Sequence, residues 1–358
     1  MKTRMYTSPS ALLAIFVLSI LLSGCYPSDV IKAIDDPAFQ RELLQYDVNG
    51  DGQLSKQEAM SITELFLPQD VKQTEGIKYL ENLEEITCRL HEATELDLSK
   101  NHKLQKAIIE MPSLRKLKIN PEIEYLSIWN SGYLDKLHLS SLPNLKKLYI
   151  SNLTSEKLLL EDLPNLETLE MVHTNLTSLD ISNLPALKEL SVEESAELTS
   201  LNWGTNSLLE NVFFADNPKL SLTAICKQSN LKLLKIVSHD KNNNLDRLEF
   251  GLQPNLKHIY IENYEVDLSK TEAPNLEKIE AYGFKSIHFG DLSKFPFLKA
   301  ITLPWSYRTM LDISKNPHID DIKGMDQLQE IKAKREQVDR LTSHYQGIGW
   351  HFNFQIVD

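Results

Sequence analysis

Cysteine is scarce in this sequence, with three residues in 358. So few cysteines exclude a disulfide framework as the main source of stability. Cys88 and Cys226 lie 138 residues apart, about six repeats of the array described below. We interpret both as structural thiols packed like small apolar side chains. A disulfide between them in an oxidising compartment is the alternative.

Catalytic motifs are also missing. The sequence has no G-x-S-x-G turn, no phosphate-binding loop and no Cys/His cluster at metal-ligand spacing. His91-Glu92 is followed by Glu95 where an H-E-x-x-H zinc motif needs a second histidine. Isolated acids on strands are usually solvated, so the sequence predicts a protein that is not an enzyme.

Positive charge is in deficit, with 38 basic against 50 acidic side chains and a net charge of −12. Removal of an N-terminal leader that contains Lys2 and Arg4 would leave 36 − 50 = −14. An acidic surface without basic clusters argues against nucleic acid as a partner and against electrostatic binding to anionic lipid.

Long hydrophobic runs are absent except near the start of the chain. The run from Ala11 to Leu22 is too short for a comfortable membrane span but typical of a signal-peptide core. It leads into Leu22-Ser23-Gly24-Cys25, which resembles the bacterial lipoprotein box. That resemblance implies cleavage before Cys25, a thioether-linked diacylglycerol on its sulfur, and N-acylation.

We therefore predict a signal peptide over residues 1–24, then a lipidated Cys25 and a linker over 25–35. Acyl chains of this kind hold a protein durably to a membrane. Tyr26 follows where an Asp would retain the protein in the inner membrane, which favours an outer-membrane lipoprotein on the cell-surface or periplasmic side. An ordinary secretory signal with a chance cysteine is the alternative.

A single EF-hand is predicted over residues 36–68. Its loop matches D-x-[DN]-x-[DN]-G-x-[LIV]-x-x-x-E, with Gly52 at the sharp turn. Leu43 and Leu44 before the loop and Met60, Ile62 and Leu65 after it supply apolar faces for two short helices. A single EF-hand without a partner suggests a structural Ca²⁺ site that caps the first repeat. The alternative is an Asn-Gly/Asp-Gly turn whose acidic side chains are merely solvated. The predicted ligands are Asp47, Asn49, Asp51, Gln53, Ser55 and Glu58.

The rest of the chain repeats about every 21 residues. The pattern L-x-x-L-x-[LIVM] is most regular at Leu145/Leu148/Ile150, Leu166/Leu169/Met171 and Leu187/Leu190/Val192, with interleaved strands at Leu158/Leu160 and Leu179/Ile181. One such unit cannot bury its apolar face alone, whereas stacked units bury a continuous core. The pattern resembles the leucine-rich repeat family.

The fold class that this implies is a leucine-rich-repeat solenoid, a β-rich arc of about eleven repeats over residues 77–332. The EF-hand would form a helical N-terminal cap. Residues 333–358 lose the repeat and predict a helix ended by Gly347 and then an edge strand, which together form an α/β C-terminal cap. Trp350, Phe352 and Phe354 would be packing residues there.

A binding face would lie on the concave strands, between the leucine anchors. If the Leu145 module is the concave strand, six side chains become candidates for a partner-binding face, with Lys147, Glu170, Glu193, Lys235 and Glu280 among them. Aromatics set among mixed charges are typical of protein-binding surfaces, but β-propensity alone also explains them. The candidates are Trp129, Tyr149, Phe213, His258, Tyr260 and Tyr282.

The combination of lipoprotein box, EF-hand and repeats such as LTSLDISNLPALKEL resembles leucine-rich-repeat lipoproteins of Gram-negative envelopes, particularly those of Bacteroidetes-like bacteria. The resemblance implies adhesion or capture of a protein partner by a lipid-anchored monomer. Leu163-Pro164 departs from the Asn-rich turns of that group. The alternative function is a glycan-binding accessory lipoprotein that stacks sugars on Tyr260, which has Glu262 and Asn263 near it.

Overall fold

The computed structural model describes residues 26–131, 134, 137–204, 208–240, 247–283, 287–303, 310–324, 330–345 and 353–357. The predicted signal peptide, Cys25, Gly347, Trp350 and Phe352 lie outside the described residues. Within the described ranges, the helices are α1 (Pro37–Leu43), α2 (Lys56–Ala59) and α3 (Arg335–Tyr345). Short 3-10 turns span Ile31–Ala33, Leu44–Tyr46, Glu75–Tyr79, Thr223–Lys227 and Leu292–Lys294.

The strands follow one another along the whole described chain. In chain order they are β1 (Glu64–Leu67), β2 (Glu85–Arg89), β3 (Glu95–Asp97), β4 (Lys106–Glu110), β5 (Lys116–Lys118), β6 (Tyr125–Trp129), β7 (Leu137–Ser140), β8 (Lys147–Leu153), β9 (Leu158–Glu161), β10 (Thr168–Thr174), β11 (Ser178–Asp180), β12 (Glu189–Glu193), β13 (Ser200–Asn202), β14 (Asn211–Ala215), β15 (Leu233–Val237), β16 (Leu248–Glu249), β17 (His258–Glu262), β18 (Val266–Asp267), β19 (Lys278–Tyr282), β20 (Ile287–His288), β21 (Ala300–Thr302), β22 (Met310–Asp312), β23 (Asp321–Lys323), β24 (Glu330–Ala333) and β25 (Phe354–Ile356).

One long parallel sheet organises the molecule, and we call it the long sheet. Its thirteen described strands are β1, β2, β4, β6, β8, β10, β12, β14, β15, β17, β19, β21 and β23, in that order. Register partners are 19 residues apart at the shortest, from Ala107 to Leu126, and 25 at the longest, from Leu234 to Ile259. The predicted leucine-rich-repeat solenoid is confirmed, with twelve strand-to-strand steps against the predicted eleven or so repeats.

The repeat pattern forms this sheet because it alternates with the pleat. In β10 Leu169 and Met171 are fully buried. Thr168, Glu170 and Val172, at the alternate positions, are partly exposed. Leu166, three residues before Leu169, is also fully buried and reaches the core from the preceding turn. Stacking these units gives one continuous core from the first cap to the last.

Proline marks the turn that enters each central strand. The N–H of Leu145 donates to the carbonyl oxygen of Leu142 at 3.2 Å, and the N–H of Leu166 donates to that of Leu163 at 3.3 Å. Proline at the second position of such a four-residue turn fixes φ without removing a hydrogen bond that the sheet needs. The buried Leu142 and Leu163 occupy the site where Asn316 bonds the carbonyl oxygens of Leu292 and Phe295 in a later repeat.

Short strands pair on the opposite side of the solenoid. They form the sheets β3-β5, β7-β9, β11-β13, β16-β18-β20 and β22-β24-β25. The interleaved modules at Leu158/Leu160 and Leu179/Ile181 therefore lie on strands, as predicted. These short sheets are also parallel, so their paired strands have the usual spacing of about 4.8 Å.

The N-terminal cap differs from the prediction in two places. Residues 26–35 are not a free linker, because Val30 is fully buried and its N–H donates to the carbonyl oxygen of Leu54 at 2.9 Å. The helix after the predicted calcium loop ends at Ala59, so Leu65 lies on β1 instead of on a helix. The alternation of Glu64, Leu65, Phe66 and Leu67 fits a strand, and pairing with β2 prevails over helix continuation.

The cap packs closely on the first repeat. A Cβ added at Gly76 would lie 2.5 Å from Cγ1 of Ile34 and 3.0 Å from Cε1 of Phe39, so a larger residue there would force the buried Ile34 side chain to shift. At the other end, α3 supplies the buried Gln337, whose Nε2 donates to the carbonyl oxygens of Ile313 and Asn316 at 2.9 and 2.8 Å. β25 then extends the short C-terminal sheet, in agreement with the predicted edge strand.

Candidate functional site

All six candidate face residues lie on the outward side of the long sheet. Tyr149, Phe213 and Tyr260 belong to its central column, His258 to the column before it, and Trp129 and Tyr282 to the column after it. The Leu145 module therefore lies on the long sheet, and its assignment as the concave strand stays a prediction. The part of the six residues in binding also stays a prediction. The central column runs through Ser127, Tyr149, Glu170, Ser191, Phe213, Lys235, Tyr260 and Glu280.

Three aromatic side chains gather near one lysine, and we call the four residues the Lys235 cluster: Phe213, Lys235, Tyr260 and Tyr282. The Lys235 Nζ lies 4.4 Å from the ring centre of Phe213 and 5.1 Å from that of Tyr260. The rings of Tyr260 and Tyr282 stack with centroids 5.1 Å apart and planes 29° apart. Cation–π contacts and ring stacking fix the orientation of otherwise flexible side chains, which lowers the entropy cost of binding a partner.

Acidic groups border the Lys235 cluster. Glu280 pairs with His258 Nε2 at 2.6 Å and with Lys278 Nζ at 3.0 Å. Partial burial acts to raise the pKa of Glu280, but the hydrogen bonds from Lys278 and His258 outweigh it and hold that pKa below its usual value. Burial, with the neighbouring Glu262 carboxylate, raises the pKa of Tyr260 to about 12, so its hydroxyl stays neutral.

A second aromatic pair lies nearer the N-terminal end. The rings of Tyr125 and Tyr149 lie 5.2 Å apart, and 44% of Trp129 on the same strand as Tyr125 is exposed. Three strand steps separate Tyr149 from Phe213, or about 14 Å at 4.8 Å a step. The face thus carries two aromatic groups with a polar stretch between them.

A shallow hollow of about 140 Å³ lies in that polar stretch. Glu170 lines it together with Ser191 and Phe213, and among the described residues its carboxylate has no hydrogen-bond or ion-pair partner. Burial, together with the Glu193 carboxylate, raises the pKa of Glu170. By contrast, Glu189 accepts hydrogen bonds from Thr168 and Asn211 on either side of its strand.

The predicted calcium loop is ordered by its own side chains. The Asp47 carboxylate accepts from the N–H groups of Gly50 and Gly52, both at 2.8 Å. Asn49 Oδ1 accepts from the N–H of Asp51 at 2.8 Å, and Asp51 Oδ1 accepts from that of Gln53 at 2.9 Å. Gly50 and Gly52 have φ of 72° and 75°, a left-handed backbone that other residues seldom adopt.

Glu58 closes the loop across its width. Its Oε1 accepts from the Val48 N–H at 3.0 Å, and its Oε2 accepts from the N–H and hydroxyl of Ser55 at 2.9 and 2.8 Å. These hydrogen bonds, those from Ser55 foremost, lower the pKa of Glu58. Ser55 and Glu58 also form the capping box of α2, so Glu58 serves the helix as well as the loop.

The donor set of this loop suits Ca²⁺ in type and order. Asp47, Asp51 and Glu58 bring carboxylates, and Asn49 and Ser55 bring neutral oxygens. Their oxygens are engaged by loop N–H groups, and within the described part of the chain no three Asp, Glu, His or Cys side chains form a metal-sized group. The same hydrogen bonds occur in a solvated turn that ends in a helix cap, so calcium binding stays a prediction.

The described cysteines offer no reactive group. Cys88 and Cys226 are buried free thiols, and burial raises the pKa of each to about 12. Both are therefore protonated and unreactive at neutral pH. No helix among the described residues is long and apolar enough to span a bilayer.

Sequence reasoning missed Tyr125 as a member of the face. Its signal was present, because Tyr125 precedes Leu126 as Lys147 precedes Leu148 one repeat later. The sequence also paired Tyr260 with Asn263, but Asn263 is buried and its Nδ2 donates to the carbonyl oxygen of Ser238 at 2.6 Å. The αL conformation of Asn263, with φ of 57°, turns the chain away from the face.

Comparison with known proteins gives solved structures only. No family model and no curated protein matches this chain. The functional domain of InlJ from Listeria monocytogenes is 19% identical, with 88% of this chain and 74% of that one covered and a TM-score of 0.43. Internalin F from the same species is 17% identical (87% and 98% covered, TM-score 0.47), and a leucine-rich-repeat protein from Leptospira interrogans is 13% identical (84% and 97%, TM-score 0.30).

Proposed function

We propose that this chain is a non-enzymatic, lipid-anchored envelope protein that binds a protein partner through the outward face of the long sheet. Cys25 would carry the lipid, and the array would stand at the outer membrane. The observation that carries the proposal is the Lys235 cluster, in which three aromatic rings and an ammonium group are held in fixed contact on an open sheet. Rigid aromatic side chains beside charges are the usual anchors of protein interfaces.

The hollow at Glu170 suggests the character of the partner. A half-buried carboxylate without a cation, between Tyr149 and Phe213, favours a lysine or arginine side chain from outside. If Glu170 forms an ion pair with the partner on binding, both charged groups lose water. Such a pair improves specificity more than affinity. We therefore expect a partner whose contact surface combines basic and aromatic groups.

Binding by face variants tests this function. The mature protein is used to capture partners from membrane and secreted fractions, and a captured protein is then titrated against each variant. We expect Tyr260→Ala to weaken binding by about 2 kcal/mol, or roughly 30-fold, because hot-spot aromatics typically contribute that much. Trp129→Ala should weaken it less, since Trp129 lies outside the Lys235 cluster.

Leu159→Ala is the matched control. Leu159 is an exposed apolar residue, 45% accessible, on the short strand β9 of the opposite side. The proposal is wrong if Tyr260→Ala and Trp129→Ala leave every detected interaction unchanged.

We infer that the loop from Asp47 to Glu58 binds one Ca²⁺ with a structural role. The supporting observation is that its oxygens occur in the order and type that Ca²⁺ prefers, on a loop whose buried Leu54 is hydrogen-bonded to Asp29 and Val30 of the N-terminal cap. Calcium at about ten times the dissociation constant should raise the free energy of unfolding by about 1.4 kcal/mol. Asp47→Ala and Glu58→Ala should each abolish the difference between unfolding curves in calcium and in chelator.

The control for this prediction is Asp70→Asn. Asp70 pairs with Arg41 outside the loop, so its loss should leave the calcium response intact. Superimposable unfolding curves of the unmodified protein in calcium and in chelator would disprove the calcium site.

Glycan binding is the second candidate. The stacked pair Tyr260–Tyr282 favours it, because such rings form platforms for sugar rings. The engaged amide of Asn263 weakens it, since a glycan site needs polar groups beside the aromatics. A glycan array probed with mature protein separates the two functions, and binding that Tyr282→Ala removes would favour the glycan.

A further inference from the structure

The chain is fixed to the first repeat from its first described residue. The Tyr26 hydroxyl donates to the carbonyl oxygen of Tyr79 at 2.8 Å, and the two rings meet edge to face with centroids 5.8 Å apart. Burial, followed by the Glu81 carboxylate, raises the pKa of Tyr26 to about 12, so the hydroxyl remains a donor. Val30, four residues later, is fully buried, so the chain between Tyr26 and Val30 is held against the cap at both ends.

Lysines surround this attachment point. Lys56 Nζ lies 4.5 Å from the ring centre of Tyr26, and Lys78 Nζ lies 5.0 Å from that of Tyr79. Lys32 pairs with Asp29 at 3.5 Å, yet 77% of its side chain is exposed. We call Tyr26, Lys32, Lys56, Lys78 and Tyr79 the anchor patch.

The charge of the anchor patch is positive although the whole chain is acidic. The Asp29 carboxylate is buried and also accepts from the N–H groups of Ile31 and Leu54 at 3.0 and 3.1 Å. The Glu81 carboxylate is close enough for its charge to act on Tyr26. The exposed ammonium groups of Lys56 and Lys78 thus stand beside two half-buried tyrosines, and that of Lys32 lies beside the buried Asp29.

This combination of side chains suits a bilayer surface. Tyrosine places an apolar ring beside a polar end at the level of the headgroups, and lysine lays its stem along apolar surface while its ammonium reaches phosphate. Consecutive Cα atoms are about 3.8 Å apart, so a lipid on Cys25 would enter the membrane within one residue of the patch.

We propose that the anchor patch is a membrane-contact surface that seats the N-terminal end of the solenoid on phospholipid headgroups. The proposal rests on the lipidation of Cys25 and adds a docking surface to it. At this end of the molecule it replaces the expectation, drawn from the net negative charge, that anionic lipid is not bound. Lys235 lies eight strand steps from β1, about 38 Å at 4.8 Å a step, so a seated cap leaves the Lys235 cluster clear of the bilayer.

Lysine acetylation kinetics test the proposal. The mature chain is coupled through the Cys25 thiol to a maleimide lipid in phosphatidylethanolamine–phosphatidylglycerol vesicles, so the result does not depend on natural lipidation. The buried thiols of Cys88 and Cys226 compete poorly. Mass spectrometry then gives the acetylation rate of each lysine with and without vesicles.

We expect acetylation of Lys32, Lys56 and Lys78 to slow severalfold on vesicles, with Lys219 and Lys315 on later repeats unchanged. Lys219 and Lys315 are 50% and 67% exposed and serve as internal controls. Unchanged rates at the patch would overturn the proposal. Equal slowing at all five lysines would also overturn it, because the solenoid would then lie flat.

A second variant separates the patch from the tether. With a long Gly-Ser linker inserted between Cys25 and Tyr26, slowing at Lys32 should persist at low salt and should be lost in Lys56→Gln/Lys78→Gln. If the linker alone abolishes the slowing of Lys32 acetylation, only the lipid tether held the cap at the membrane, and the proposal is overturned. Acyl chains on the natural protein are checked by the mass of its N-terminal peptide, and their absence would contradict the proposed function instead.

Discussion

Asp36 joins two separate segments of the N-terminal cap. Its Oδ1 accepts from the N–H groups of Ala38 and Phe39 at 2.8 and 3.0 Å, which caps α1. Its Oδ2 accepts from the N–H groups of Lys72 and Gln73 at 2.6 and 3.0 Å, just before the first repeat turn. The pair Asp36-Pro37 is readable in the sequence as a helix start, but the bonds to a segment 36 residues later are not.

We predict that Asp36→Ala lowers the free energy of unfolding by about 2–3 kcal/mol, because a cap is lost and two N–H groups near the core lose their acceptor. Burial acts to raise the pKa of Asp36, but four backbone N–H groups outweigh it and hold that pKa below its usual value. The stabilisation is therefore complete above the ordinary Asp pKa of about 3.9 and is lost as pH falls through the lowered value. Urea unfolding from pH 7 to pH 2 checks this, and a stability difference from the unmodified protein that stays constant to pH 2 would contradict it.

At the scale of elements, both ends of the long sheet need cover, because an open strand edge exposes unpaired backbone groups. At the start, the Tyr46 hydroxyl donates to the carbonyl oxygen of Glu64 on β1 at 2.9 Å. At the end, the Tyr345 hydroxyl of α3 accepts from the Ile322 N–H of β23 at 2.7 Å and lies 2.7 Å from Asp321 Oδ1. The sequence predicted helix α3 from its composition, but it gave no sign of the edge that Tyr345 covers.

Tyr345→Phe should therefore cost about 1–3 kcal/mol, since a buried N–H loses its acceptor while the ring stays. Hydrogen exchange at the Ile322 amide should speed up in proportion. Tyr282→Phe on the open face is the control and should change stability by about 0.5 kcal/mol or less. Equal effects of the two substitutions would show that Tyr345 does not protect the edge.

At the scale of the whole molecule, neighbouring repeats are matched by charge as well as by leucine. Lys146 pairs with Glu124, Lys188 with Glu167, and Lys232 with Glu210, each one repeat apart at 2.7 to 2.9 Å. Exposed pairs of this kind add only about 0.2–1 kcal/mol each. These pairs favour the correct register of the repeats, because a shift of one repeat would place like charges next to each other.

The sequence predicted the solenoid because its period is repeated many times, and each copy confirms the others. Leu148, Leu169 and Leu190 are register partners in the long sheet at the predicted spacing. Prediction from the sequence was wrong where a single segment had no repeated copy to compare with, as at β1 and in the packed residues after Tyr26. The spacing of the six candidate residues was enough to place them on one side of the long sheet, whereas the contacts that form the Lys235 cluster depend on side-chain directions that spacing does not give.

Site-specific photo-crosslinking is the most direct test of the central claim, that the outward face of the long sheet binds a protein. A photoreactive residue is placed at Ser191, between the two aromatic groups, or at Leu159 on the opposite side, and the mature protein is irradiated with its captured partner. We predict an adduct from position 191 and none from position 159. An adduct from position 159 alone would contradict the account and place the binding surface on the short strands.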